Sequence, residues 1–219
     1  MVNMLAIETA TPILSVALEV GGRVFERRVE DPAARAEGVL ELLRVLLDEA
    51  ETSLAAMEAI AFGRGPGSFT GLRVAAAIAQ GLAYSQGLPV VPISSLAALA
   101  QEAAGDDILA AIDARRDEVY YGFFTRSKNG LVELVGAEAL GSPALVQVPP
   151  GRVYQGLGSG FDHYPQEWHR DQGLSYEAHK APSACAVLRL AQGVFERGAW
   201  VAAAKALPVY LRDNVVQGA

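Results

Sequence analysis

The stretch FGRGPGSFTGLRVAAAIAQGLA, residues 62–83, joins a glycine-rich loop to a long helical pattern. Glycines in such a loop allow unusual backbone angles, and a hydroxyl residue after them can cap a helix that begins near Gly71. Free N–H groups in a first helical turn also favour an anion. The loop is therefore either a phosphate cradle or a tight turn that starts a helix. The residues concerned are Gly65, Gly67, Ser68 and Thr70, with Arg64 and Arg73 as candidate anion contacts.

The common phosphate-loop patterns do not fit this stretch. No Gly-x-x-x-x-Gly-Lys occurs, and the first lysine of the chain is Lys128. The dinucleotide pattern Gly-x-Gly-x-x-Gly also fails, because Thr70 occupies the position of the third glycine. These two observations favour a structural turn and helix cap over a phosphate site.

Two helices are predicted on either side of this loop, at 33–50 and 71–86. Asp31 is the expected N-cap of the first, with Pro32 at its first position. In the second, alanines four residues apart share one side and let another helix approach closely. That other helix belongs either to the same chain or to a second subunit. The predicted interface comprises Val39, Leu42, Leu43, Leu46, Ala75, Ala76, Ala79, Leu82 and Ala83.

The order strand-strand-strand-helix-strand-helix occurs twice along the chain. The strands MLAIET, ILSVALEV and RVFERRVE open the first half, and DILAAID, EVYYGFF and LVELVGAEA open the second. We expect an α/β protein with two similar βββαβα domains, residues 1–104 and 105–219, with the last residues packing back on the first domain. Two such halves beside a cleft are typical of the actin-like and sugar-kinase-like (ASKHA) fold.

The composition argues against several classes of protein. The net charge is −7, whereas a protein that binds nucleic acid unaided usually presents a basic face. No apolar run reaches the roughly 18 residues that span a bilayer, and the N-terminus lacks the pattern of an export signal. We therefore expect a cytoplasmic protein without membrane contact. Its one cysteine, Cys185, is expected to be a buried, inert thiol.

Five segments of the chain, in order, resemble the TsaB (YeaZ) family of bacteria. They are LAIETATPILSVAL, GRGPGSFTGLRVAAAIAQGLA, VPISSLAALA, AAIDARRDEVYYGFF and LPVYLRD. The resemblance implies the actin-like fold and a non-catalytic role in making N6-threonylcarbamoyladenosine at position 37 of tRNA. The implied partners are a catalytic TsaD-like subunit of similar fold and a TsaE-like ATPase, while TsaC supplies threonylcarbamoyl-AMP. The chain alone is expected to be a homodimer, and tRNA is expected to be contacted only through the complex.

The resemblance also implies that the catalytic metal site of TsaD is absent here. That site uses two histidines at a helix start, and Ser95 and Leu99 of the segment ISSLAALA stand in their places. A leucine cannot ligate a metal, and serine is a poor replacement for imidazole. The histidines of the chain lie elsewhere, so no metal site is predicted; they are His163, His169 and His179.

The two hairpins that face nucleotide phosphates in the wider fold lack glycine here. The first reads ETATP from Glu8 and the second DARRD from Asp113, and Pro12 removes a donor N–H from the first. Glu8 and Asp113 are the candidate cleft carboxylates, with a structural role predicted, namely to hold the hairpins by hydrogen bonds to backbone. The segment GLGSGF, residues 156–161, is a weak candidate for an adenosine-side turn. No cofactor is predicted for the chain alone, and a nucleotide at a junction shared with another subunit stays open.

Three alternative functions accompany this hypothesis. An ATP-dependent phosphotransferase of the same fold needs a cleft carboxylate, a bound phosphate and magnesium, and the missing glycines and lysine count against it. A glycoprotease-like metallopeptidase needs two imidazoles on one helix face, which the sequence does not offer. A dimeric scaffold of unrelated purpose differs only in the identity of its partners.

Overall fold

The chain forms two five-stranded sheets with associated helices in a computed structural model that describes residues 2–30, 36–168 and 173–212. The first half contains β1 (Met4–Glu8), β2 (Ile13–Val20), β3 (Arg23–Glu30), α1 (Ala36–Glu49), β4 (Ala59–Gly63), α2 (Phe69–Gln86), β5 (Val90–Ile93) and α3 (Ser95–Gln101). The second half contains β6 (Asp107–Arg115), β7 (Glu118–Arg126), β8 (Val132–Gly141), β9 (Tyr154–Leu157), α4 (Ser159–His163), β10 (Leu174–Glu177) and α5 (Ala184–Glu196).

The same strand order is built twice. The first sheet runs β3-β2-β1-β4-β5, and the second runs β8-β7-β6-β9-β10. In each sheet the first three strands are antiparallel neighbours, and the two later strands continue the sheet in parallel from its first strand. This duplicated arrangement is the actin-like and sugar-kinase-like fold. The predicted α/β fold class is therefore confirmed.

The repeated unit is longer than the predicted βββαβα. Each half ends in a further strand and helix, β5–α3 in the first and β10–α5 in the second. In the second half, only a 3-10 turn at Pro143–Leu145 stands where α1 stands in the first. Pro149 and Pro150 oppose a longer helix here, because proline lacks the N–H that a helix interior needs and its ring clashes with the preceding turn. Pro143 is at the first position of the 3-10 turn, where proline is tolerated.

The last helix of each half packs on the sheet of the other half. Helix α3 contacts β6, β7 and β8, whereas α5 contacts β1, β2, β4 and β5, and the two helices also contact each other. One apolar cluster therefore spans both halves, with Met4 and Ala61 from the first sheet, Leu99 from α3, Phe124 from the second sheet and Val187 from α5. The division of the chain between residues 104 and 105 stays a prediction.

One glutamate from each sheet forms a hydrogen bond at the N-terminus of α3 or α5. Ser94 caps α3 by accepting the Ala97 N–H at 3.1 Å, and the Ser94 hydroxyl also donates to Glu138 of β8. At the start of α5, the Cys185 N–H donates to Glu26 of β3 at 3.3 Å. A carboxylate is favourable at a helix N-terminus, where the N–H groups are partly positive.

Cys185 itself is only partly buried, which corrects the prediction of a buried thiol.

The local signals around α2 act largely as predicted. The helix begins at Phe69, and Ser68 caps it by accepting the Gly71 N–H at 3.3 Å. Helix α1 is described from Ala36 onward, so the predicted cap at 31 and 32 lies outside the described residues. After α5, the chain returns to the first half: Val201 bridges to Val90, the first residue of β5, and the 3-10 turn that follows packs on α2.

Candidate functional site

The glycine-rich loop rests directly on the backbone of the first hairpin. A Cβ atom on Gly67 would lie 2.5 Å from the Ala10 carbonyl oxygen, and a Cβ on Gly71 would overlap the Thr9 carbonyl oxygen. The Ser68 N–H donates to the same Ala10 oxygen at 2.8 Å. The glycines are therefore needed for close approach of two backbone segments. The loop N–H that a phosphate would use at Ser68 is already bonded within the chain.

The two arginines of the loop region have partners inside the chain. The Arg64 guanidinium lies 3.6 Å from the Glu138 carboxylate. The Arg73 guanidinium carbon lies 3.7 Å from the centroid of the Phe69 ring, and Arg73 Nε donates to the Tyr210 hydroxyl at 3.2 Å. Both arginines thus serve internal contacts, and an anion contact at this loop stays a prediction.

Glu8 ends β1 as a fully buried carboxyl beneath the loop. Oε1 accepts the Ala10 N–H at 2.7 Å, and Oε2 accepts the Ser95 hydroxyl at 2.8 Å. A Cβ atom on Gly63, at the end of β4, would overlap the Glu8 carboxyl, so this glycine provides its space. Burial raises the pKa of Glu8 to about 7, and the hydrogen bonds from Ala10, Ser95 and Thr9 oppose that rise. Glu8 thus links the first hairpin to the start of α3.

The two positions implied to replace the metal-binding histidines belong to this packing. Ser95 is buried and donates to Glu8. Leu99 is buried in the shared core, where its Cδ2 lies 2.5 Å from the position of a Cβ on Gly158. His169 lies outside the described residues, and across 2–30, 36–168 and 173–212 no group of three or more His, Cys, Asp or Glu side chains is placed to hold a metal ion.

Asp113 is the counterpart of Glu8 in the second half, at the point where β6 enters its hairpin. Its Oδ1 accepts the Arg115 N–H at 2.8 Å and the Tyr164 hydroxyl at 3.0 Å. The Asp113 N–H donates to the Ser159 hydroxyl at 3.0 Å. Burial raises the pKa of Tyr164, and its bond to Asp113 adds to the rise. This carboxylate therefore ties its hairpin to α4.

The glycines of the segment 156–161 make room for an aromatic ring. A Cβ atom on Gly156 would lie 2.5 Å from Phe161 Cζ. The Phe161 ring stacks on Trp168 at 4.2 Å and on Tyr176 at 5.4 Å between ring centroids. The Phe161 ring therefore fills the space beside these glycines, and their role is to allow packing in the core of the second half.

The predicted interface residues do not form a surface. Seven of them are buried inside the chain, where α1 and α2 pack on the first sheet, and Leu42 and Leu82 are partly buried there; the seven are Val39, Leu43, Leu46, Ala75, Ala76, Ala79 and Ala83. For these seven residues the prediction is corrected, because the chain itself covers their side chains, whereas an interface that includes Leu42 and Leu82 stays a prediction. The alanines four residues apart on α2 pack inside the chain, against the first sheet and α1.

A different stripe of α2 is exposed. It runs at helical spacing along the outer side of the helix, and Tyr210 from the C-terminal segment packs against its first residue, with 5.5 Å between the rings of Phe69 and Tyr210. Tyr84 is 84% exposed and Tyr210 is 40% exposed. Small residues in the middle of the stripe leave the helix backbone open to close approach. We call this surface the docking face; it comprises Phe69, Arg73, Ala77, Gly81, Tyr84 and Tyr210.

Comparison with protein-family models finds one match that covers more than half of the chain. Residues 33–155 match the model described as TsaD, tRNA N6-adenosine threonylcarbamoyltransferase. This range includes the glycine-rich loop, α2, α3 and the hairpin of the second half. Within the described part of the chain, no helix has the length and apolar character that crossing a membrane requires.

Individual relatives match over nearly the whole length. The chain is 36% identical to the tRNA threonylcarbamoyladenosine biosynthesis protein TsaB of Escherichia coli, covering 97% of this chain and 96% of that protein. It is 35% identical to the protein of the same name from Haemophilus influenzae, covering 97% and 94%. Among solved structures, YeaZ from Pseudomonas aeruginosa superposes with a TM-score of 0.91 at 41% identity, covering 96% of this chain and all of that one.

Proposed function

Because the chain belongs to the TsaB (YeaZ) family, we propose that it is a non-catalytic subunit of the assembly that makes N6-threonylcarbamoyladenosine in tRNA. Its role is to bind and activate a TsaD-like catalytic subunit, together with a TsaE-like ATPase, in the cytoplasm. The names of two relatives refer to biosynthesis of this modified nucleoside. Residues 33–155 also match the family model of TsaD, the implied catalytic partner.

One observation carries the non-catalytic part of the proposal. The polar groups that line the first hairpin are bonded to one another: Glu8 accepts from Ala10 and Ser95, and the Ser68 N–H donates to Ala10. A phosphotransferase would need these groups directed at a phosphate and a metal ion. Their internal bonding and the burial of Glu8 instead favour a rigid support for α2 and α3.

The docking face supplies the surface for association. Exposed aromatic residues with small neighbours are typical of interfaces, where an aromatic side chain fills a pocket on the partner and small residues permit close backbone approach. A partner of the same fold would present a related surface in a pseudo-symmetric arrangement. We therefore expect a homodimer of the chain alone to form through this face and to compete with the catalytic partner by mass action.

The charge of the chain supports an indirect relation to tRNA. Its net charge is −7, and a subunit that bound the phosphate backbone by itself would need several basic side chains free to neutralise it. The loop arginines Arg64 and Arg73 are engaged within the chain. In the proposed assembly, the partner provides the positive surface.

Reconstitution of tRNA modification from TsaC, TsaD and TsaE, with and without this chain, tests the proposal. Modification is expected to require the chain and to fail with Ala77→Glu, which places a charge in the centre of the docking face. The matched control is Ala137→Glu, at an exposed position of β8 in the second sheet, which should retain activity. Ala79→Glu is not informative, because Ala79 is fully buried and the charge would unfold the chain.

The non-catalytic role has its own test. Asp113→Asn should retain most of the reconstituted activity, since its partners are the hairpin backbone, Tyr164 and Arg115 of the same half. Full modification without the chain would contradict the proposed role. Turnover of Mg-ATP by the chain alone would favour the phosphotransferase instead.

A further inference from the structure

Residues 206–212 run across the first half beside α2. The Ala206 carbonyl accepts the Gln80 side-chain amide of α2 at 3.0 Å. The Val209 N–H donates to the Arg64 carbonyl of the glycine-rich loop at 2.8 Å. Next along the chain, Tyr210 lies in the docking face. This segment is therefore attached both to the loop and to the helix that the loop starts.

The same segment ends on the second half. The Arg212 guanidinium donates to the Ala114 carbonyl at 3.1 Å and lies 2.7 Å from the Glu118 carboxylate. Ala114 and Glu118 stand on the two sides of the β6–β7 hairpin. The Arg212 side chain is 18% exposed and the Glu118 side chain 33% exposed, so the charge pair is partly shielded from solvent. Only Leu211 thus separates Tyr210 of the docking face from a partly buried contact with the other half.

The hairpin that Arg212 holds has an unfavourable backbone. Arg115, Arg116 and Asp117 all have left-handed φ angles, of 62°, 59° and 58°. Residues with a side chain are disfavoured in this region, and turns of this kind usually contain glycine or asparagine. Such a conformation persists only where surrounding contacts hold it. Arg212 and the Asp113 carboxylate are among the contacts that hold the hairpin here.

We propose that residues 206–212 form a strap that couples the docking face to the β6–β7 hairpin of the second half. A partner that covers Tyr210 favours the attached conformation of the strap, and Arg212 then holds the hairpin in its left-handed conformation. The coupling is reciprocal, so loss of the Arg212 contact weakens binding at the docking face. The identity of the partner rests on the proposed function, but the coupling is a property of the chain itself.

Amide hydrogen exchange of the isolated chain tests the coupling. Arg212→Gln should accelerate exchange of the hairpin amides at 114–119 by at least about fivefold. Tyr210→Phe, which keeps the ring on Phe69 and removes only the acceptor for Arg73, should accelerate exchange at the same amides. Arg152→Gln is the control: this arginine pairs with Asp107, at the opposite end of β6 from the hairpin, and should leave hairpin exchange unchanged.

The double variant and the partner complete the experiment. With coupling, Tyr210→Phe combined with Arg212→Gln should exchange no faster at the hairpin than Arg212→Gln alone. Unchanged hairpin exchange in Tyr210→Phe, or strictly additive effects, would overturn the strap. Addition of the TsaD-like subunit should protect the hairpin in the wild type and not in Arg212→Gln. If that subunit does not bind the wild-type chain, the proposed function fails, whereas the exchange data on the isolated chain still decide the strap.

Discussion

Replacing Glu8 by glutamine should change how the stability of the protein depends on pH. The carboxyl is fully buried between the first hairpin and α3, and its pKa is raised from 4.5 to about 7, mainly by burial. Its two oxygens accept hydrogen bonds from Ala10 and Ser95. Glutamine has nearly the same shape and remains neutral. The Ser95 hydroxyl can rotate to accept from the new amide, so Glu8→Gln removes the ionisation and preserves the packing.

The magnitude follows from the difference between the folded and unfolded pKa. Each unit is worth about 1.4 kcal/mol, so a rise from 4.5 to about 7 means that ionised Glu8 weakens folding by about 3 kcal/mol. Below pH 4.5 the carboxyl is protonated in both states and costs nothing. Between pH 4.5 and 7 the folded chain keeps a proton that the unfolded chain releases, so stability falls as pH rises. Well above pH 7, Glu8 is ionised in both states, and the folded chain is less stable by the full amount of about 3 kcal/mol.

Urea unfolding at several pH values between 4.5 and 8 measures this effect. Glu8→Gln should match the wild type near pH 4.5 and exceed it by about 3 kcal/mol in free energy of unfolding at pH 8. Glu133→Gln, at an exposed position of β8, is the control and should follow the wild type throughout. The assignment of a raised pKa is refuted if the difference between Glu8→Gln and the wild type is the same at pH 4.5 and pH 8.

Three further predictions concern packing and reactivity. Gly71→Ala should lower the free energy of unfolding by about 3 kcal/mol, because the new Cβ would overlap the Thr9 carbonyl. Gly81→Ala should raise it by about 1 kcal/mol, because nothing lies within 4 Å of its new Cβ. Melting temperatures equal to that of the wild type would contradict both predictions. Burial, with Glu26 nearby, raises the pKa of the Cys185 thiol from 9.0 to about 12. In native buffer at pH 8 this thiol should therefore react with a disulfide reagent at least about tenfold more slowly than in urea, and comparable rates would show a reactive thiol. Residues 1–104 expressed alone should remain unfolded by circular dichroism, since α5 covers the first sheet, and a cooperatively folded fragment would contradict that reasoning.

Much of the fold is readable from local signals in the sequence. Apolar runs and alternation of apolar residues predict the three-stranded opening of each half. The caps at Ser68, Ser94 and Ser183 depend on hydrogen bonds to backbone N–H groups only three residues further on. The positions of Glu8 and Asp113 follow in the same way, since Glu8 is the last residue of β1 and Asp113 lies two residues before the end of β6, each before a hairpin. These features are predictable because the interacting groups are neighbours in the chain.

The sequence does not show which side of α2 is exposed. Alanine at 75, 79 and 83 and small residues at 77 and 81 lie on different sides of the same helix, so the helical period does not indicate which side is buried. The first sheet decides it by covering the side that carries Ala79. Seven of the predicted interface residues therefore lie inside the chain, and the place of any interface stays a prediction.

What the tertiary structure alone decided are the contacts between the halves. Nothing local to α3 or α5 shows that each packs on the other half's sheet, that Glu138 and Glu26 reach their N-termini, or that Arg212 holds the hairpin at Ala114. The residues in each of these contacts are dozens of positions apart or more. In the sequence, the charged residues resemble ordinary surface charges, and the helices resemble ordinary amphipathic helices. The sequence by itself determines which segments form helices and strands, since short-range hydrogen bonds and alternation suffice. Which surfaces are then buried depends on the free energy of covering apolar area across the whole chain, and only the assembled fold resolves that.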